Sequence, residues 1–301
     1  MRNISLVAQT LFLLIGMWSL ASQAVSIEQI IINKPLSDND RRYDYTKRLL
    51  DLVLTVTTAS HGEFKLNEAQ TTMTRNRTFV ELKKGEIIHV MAEAPKPGWE
   101  EELIPVRVPI RKGIQGFRLF IIKQQNQALL ANVDSLQSLQ QYPTGSGSQW
   151  STLRVMEEAG FTVVSGSHYD GLFDMLNLGR FITFGRGVNE AFREVEAFKE
   201  KFPDLTVDEH VALFIPLPTY YFVSPKKPAL AERIKAGLTL LIQDGRFDTF
   251  FYQHHCEDLR KANLAKRKIF SIPNPNLSAK TPLDVAHYWH NPNTDLKGIC
   301  D

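Results

Sequence analysis

From Val25 to Asn33 apolar and polar residues alternate, with Ile27, Ile30 and Ile32 set among polar neighbours as in a half-buried strand. The period then changes. Tyr45, Leu49, Leu52, Val53 and Val56 recur at helical spacing within 42–59, and a second amphipathic helix covers 74–84 and stops at Gly85. Residues 87–92 form a buried strand pattern, and this alternation predicts a sheet covered by helices on both faces. A stretch rich in Pro, Gly and charge from Pro95 to Pro109 breaks the rhythm before a strand at 116–122. From Gly145 the pattern predicts a Gly/Ser loop (145–149) that opens a helix, a strand (161–165), a helix (169–178) and a strand ending in Gly185, Arg186 and Gly187. A further helix follows, then a strand and crossover over 211–224. Last comes a long helix over 228–244, with Leu230, Ile234, Leu238 and Leu241 on one stripe and Gly245 as its left-handed cap.

The first residues set the compartment. Arg2 supplies a positive start, residues 11–18 an apolar core, and Ser22 and Ala24 the small residues at −3 and −1 that a signal peptidase accepts, so cleavage is expected after Ala24. Polar interruptions at Gln9, Thr10, Ser19 and Ser22 argue against a membrane span. The formal net charge of +2 falls by one when Arg2 is removed, which leaves no broad basic footprint for nucleic acid. Cys256 and Cys300 are the only cysteines. In an oxidising compartment they either pair or remain two free thiols, and geometry decides.

The run 171–180 (Gly-Leu-Phe-Asp-Met-Leu-Asn-Leu-Gly-Arg), the following 181–187, Tyr220 to Ser224, Gly237-Leu238 and Asp244-Gly245 resemble the periplasmic-binding-protein-like type II superfamily. Within it the likeness is to uncharacterised proteobacterial relatives of the family 3 extracellular solute-binding proteins. The resemblance implies a two-lobed α/β venus-flytrap with two hinge crossings. Lobe 1 would be built from 25–115 and 222–301, the latter including a C-terminal tail, and lobe 2 from 116–221. It also implies a periplasmic monomer without cofactor that closes on a small-molecule solute and is read by an inner-membrane transporter or a sensor protein. Amino-acid receptors of this family hold the ligand carboxylate with an arginine after an early lobe 1 strand and the ammonium with an aspartate ending a lobe 2 strand. Here residues 93–102 contain no arginine and the lobe 2 strand ends in Gly185-Arg186, so amino-acid specificity is not carried over.

The candidate ligand residues are Trp99, Ser146, Ser148, Gln149, Trp150, Tyr169, Arg186 and Tyr220. Backbone N–H groups and hydroxyls at 145–149, before a helix, suit a carboxylate or phosphate, and Arg186 adds a bidentate donor. Two plainer roles stand beside these: Ser146 or Ser148 caps the helix, and Arg186 pairs with Glu190 one turn on. Trp99, in a Pro-Lys-Pro-Gly setting, is the lid candidate; any aromatic residue can equally be packing. Together these favour an anionic or zwitterionic solute. The alternative is a receptor-like interaction module that has lost solute binding.

Catalysis is not indicated. There is no Gly-x-Ser-x-Gly elbow and no His-Glu-x-x-His pair, and the nearness of Ser146, His168 and Asp170 in sequence is not triad geometry. The runs 254–257 (His-His-Cys-Glu) and 287–290 (His-Tyr-Trp-His) contain zinc-ligand types, but a disulfide would remove the thiolate. No metal is expected.

Overall fold

A computed structural model describes residues 27–35 and 43–301; the expected signal segment and its cleavage site lie outside the described residues. In chain order the first half comprises β1 (Glu28–Lys34), α1 (Asp44–Thr55), α2 (Thr58–His61), β2 (Phe64–Thr72), α3 (Arg75–Lys84), β3 (Val90–Glu93), α4 (Trp99–Glu102), β4 (Ile104–Val106), β5 (Phe117–Lys123), α5 (Gln127–Ala131), α6 (Leu136–Gln140) and β6 (Thr144–Gly147). The second half adds α7 (Thr152–Glu158), β7 (Val163–Gly166), α8 (Tyr169–Asn177), β8 (Thr183–Gly187), α9 (Val188–Ala197), β9 (Leu205–Val207), β10 (Val211–Phe214), β11 (Tyr220–Val223), α10 (Pro228–Gln243), α11 (Arg246–Ala262) and β12 (Lys268–Ser271).

Two sheets result. The first runs β2-β1-β3-β11-β4, and the second runs β12-β10-β5-β8-β6-β7 with β9 also on β5. Local chemistry explains the element ends. Thr74 accepts the N–H of Arg77 and starts α3, while left-handed Gly85 returns its N–H to the Glu81 carbonyl and ends it. Pro228 opens α10, where a missing N–H costs nothing. Gly237 lets α10 lie against α1, because a Cβ there would overlap the Val53 carbonyl. Arg233, 1 % exposed, ties α10 to the Leu54 and Gly62 carbonyls and to Glu28 of β1.

The chain passes between the sheets at 107–116, again at 215–219 and a third time between β11 and β12, and the first two passages are zipped together. Ile215 N–H donates to the Gly116 carbonyl (3.0 Å) and Ile110 N–H to the Thr219 carbonyl (2.9 Å). The first contact is so close that a Cβ on Gly116 would overlap the Ile215 oxygen.

Two expectations need correction. Residues 145–147 are not a loop. They are part of β6, paired with β7 and β8, because two flanking strands take up their backbone groups. The segment after 222 does not all return to the first sheet. While α10 does, β12 pairs in parallel with β10 of the second sheet and supplies the partners that the β10 backbone edge requires. From there the tail lies along both passages: Asn274 Nδ2 donates to the Pro216 carbonyl (2.9 Å) and His290 N–H to the Lys112 carbonyl (2.8 Å). A disulfide joins Cys256 and Cys300, with Cα atoms 5.6 Å apart, and fixes the end of the tail to α11.

Candidate functional site

A cavity of about 100 Å³ lies between the two sheets, room for a cluster of waters or a small solute. From the first lobe come Arg75 at the start of α3 and Glu93 at the end of β3; from the second come Trp150, Thr152, Tyr169, Arg186 and Glu190. The first passage contributes Arg111 and Gln115, β5 contributes Arg118, and the second passage Thr219. The lobes touch beside it, where Lys96 Nζ donates to the Gln149 carbonyl (3.1 Å). Strand ends of both sheets meet here, and that is where open α/β sheets form clefts.

Charge in the cavity is organised around Arg186, which is 4 % exposed. Its Nε and Nη2 donate to the two oxygens of Glu194, each at 2.6 Å, and Nη2 lies 3.3 Å from Glu190 Oε2. The guanidinium also stacks over the Trp150 ring, 4.2 Å from its centroid. Burial alone would push the Glu190 carboxyl up, but the guanidiniums of Arg186 and Arg118 and the Gly187 N–H together hold it down at about 2. Arg118, on β5, donates to the carbonyls of Gln115 (2.9 Å) and Gly185 (2.6 Å), and burial pushes its guanidinium down to about 10. On the opposite wall Arg75 Nε meets Glu93 Oε2 at 2.6 Å.

Of the residues expected at a ligand, Trp150, Tyr169 and Arg186 line this cavity. Arg186 pairs with Glu190 as the plainer reading had it, and more closely with Glu194. The others lie elsewhere. Trp99 is 6 % exposed and is no lid: it stacks on Phe79 (5.0 Å) and meets Phe222 edge-on (5.6 Å), filling the space between α3 and β11. Tyr220 is fully buried in the same core cluster, since alternate residues of β11 face that side. Ser146 is buried in β6 with its hydroxyl toward the Gly147 carbonyl (3.4 Å), and Ser148 and Gln149 are exposed outside the cavity. Sequence reasoning passed over Arg75, Arg111, Arg118 and Thr152. Arg118 carried a usable signal, a single charge inside the apolar run 117–122.

Among the described residues no group of His, Cys, Asp and Glu could hold a metal ion. His255 and His290 are instead buried against α11 and the tail, and burial pushes each imidazole down to about 4. Both are therefore neutral in the fold at neutral pH, whereas an unfolded histidine binds a proton below about 6.5. Stability is expected to fall as pH drops from 6.5 toward 4 through the histidines. It should fall further from about 4.5 to about 2 as Glu190 loses its charge. Thermal unfolding followed from pH 7 to pH 3 checks this; an unchanging melting temperature would contradict it.

No family profile and no curated protein matches the sequence. Solved structures do match. An ancestral arginine-binding protein bound to arginine aligns with a TM-score of 0.51 and 15 % identity over 74 % of this chain and 96 % of that one. An amino acid ABC transporter substrate-binding protein from Streptococcus pneumoniae bound to L-arginine gives 0.52 and 10 % over 76 % and 94 %. A probable amino-acid ABC transporter extracellular-binding protein from Bacillus subtilis gives 0.53 and 14 % over 75 % and 96 %. At such identities the likeness concerns the fold: the chain has the two-lobed α/β architecture of a type II periplasmic binding protein.

Proposed function

We propose that this is an exported solute-binding protein that closes its two lobes on a small anionic or zwitterionic solute and presents the closed form to an inner-membrane transporter or a sensor. On this reading it is a periplasmic monomer that carries out no catalysis. The observation that carries the reading is the interlobe cavity, where guanidiniums and hydroxyls from both lobes and from the passages converge on a space of solute size. Structures of the same fold hold arginine, which supports amino acids or their relatives as the chemical neighbourhood. Lobe 1 would comprise 25–115 and the returning β11 and α10, and lobe 2 would comprise 116–219 together with β12, the boundary expected at 221/222 moving back because β11 begins at Tyr220.

A ligand that binds only the folded, closed form raises stability by about 2.7 kcal/mol at a concentration 100 times its Kd. A thermal-shift screen of amino acids, small carboxylates and inorganic anions is therefore expected to give at least one rise of several degrees. The second reading, an interaction module without a solute, draws on the internal pairing of Arg186 with Glu194 and of Arg75 with Glu93. A screen in which no compound shifts the transition would favour that module.

A further inference from the structure

We infer that the cleft selects a small carboxylate that carries no ammonium group, gripped at Arg118. The inference rests on the solute-binding reading and deepens it.

Arg118 is the donor with capacity left over. It is 4 % exposed and lines the cavity, yet it makes only the two bonds to the Gln115 and Gly185 carbonyls, and its Nε–H has no partner among the described residues. The nearest carboxylate oxygen, Glu190 Oε2, stands 3.8 Å away and is held more closely by Arg186 (3.3 Å) and by the Gly187 N–H (3.0 Å). A buried guanidinium in this condition gains most from an incoming carboxylate, whose two oxygens match its fork. Thr152, 4 % exposed, also lines the cavity.

The acceptors tell the other half. An ammonium brings three donors and no acceptor, and when desolvated it needs oxygens around it. The two carboxylates that line the cavity among the described residues are both engaged, Glu93 by Arg75 (2.6 Å) and by the Ala94 N–H (3.1 Å), Glu190 as above. An α-amino acid would have to detach a guanidinium from one of them, and its ammonium would then lie among arginines of like charge. The amine-free acid of the same length meets neither obstacle.

Matched pairs test this directly: lactate against L-alanine, succinate against L-aspartate and glutarate against L-glutamate, with L-arginine and L-glutamine added, titrated by calorimetry into the full mature chain. In at least one pair the amine-free acid is expected to bind at least tenfold more tightly. Arg118→Lys, which keeps the charge and loses the fork, should weaken that acid at least tenfold. Thr152→Val, which preserves shape and tests the same wall should the arginine variant fold poorly, should weaken it severalfold. An amino acid that binds as well as its amine-free partner overturns the inference and leaves solute binding intact. Binding unchanged in both variants, each shown to be folded, overturns the placement at Arg118. If no acid or amino acid binds the folded protein, the solute-binding reading fails and this inference with it.

Discussion

Arg186→Ala is expected to destabilise the empty protein by about 3–5 kcal/mol, the range seen when one partner of a buried ion pair is removed. The geometry demands a large effect. The guanidinium is the bidentate partner of Glu194 and a neighbour of Glu190, whose side chains are only 11 % and 15 % exposed. Without it two carboxylates would share a nearly dry site, where Arg118, 3.8 Å from Glu190, and Arg111 offset only part of their charge. The Trp150 ring would also lose the cation stacked on its face. From sequence alone a cleft arginine free to receive a ligand would contribute little to folding; Glu194, eight residues away and two turns along α9, reverses that expectation. Urea denaturation of the unliganded variant checks it. A loss below about 1 kcal/mol would mean that the arginine is held loosely enough to release its carboxylates to a solute. A paired rescue, Arg186→Met with Glu194→Met, should recover much of the loss, since replacing a whole buried pair by apolar groups is far less costly than breaking it.

Removing the disulfide comes next in size. The bond spans 44 residues of sequence, and loop-closure entropy assigns such a link about 4 kcal/mol, reduced by any structure the open chain keeps. The effect should be concentrated in the tail, which lacks strands and α-helices and is held by scattered contacts: Trp289 against Gly113, Asn274 on Pro216 and Arg260 with Asp301. Cys256→Ser with Cys300→Ser is expected to lower the melting temperature and to admit proteolysis within 272–301 first. Equal protease resistance with and without the bond would show that packing on the two passages suffices.

How much of this was written in the chain differs from element to element. The helices α1, α3, α8 and α10 were legible because their buried faces recur every three or four residues and their ends carry Thr74, Gly85, Pro228 and Gly245. By contrast β2 is an edge strand in which only Ala69 is buried, so no alternation marked it. The helix α11 buries His255 and Asp258 along with its aromatic residues, which blurs the apolar stripe. Trp99 looked like a lid because Gly and Pro precede it; its ring turns inward because a gap between Phe79 and Phe222 accepts it. For Trp99 a local signal was outweighed by area that could be buried only against a distant element.

The candidate site divides in the same way. Sequence by itself determined the alternation of strands and helices and the polar, cationic character around Arg186, since periodicity, caps and residue type act over a few neighbours. It could state that Cys256 and Cys300 were available to each other. Only the tertiary structure decided that they join, that β12 completes the second sheet, that Arg186 belongs to Glu194, and that Arg118 lines the cavity while its buried Nε–H lacks a partner. Those outcomes depend on which of several chemically suitable partners comes within about 3 Å, the reach of a hydrogen bond, and that distance is set by the packing of segments far apart in the chain.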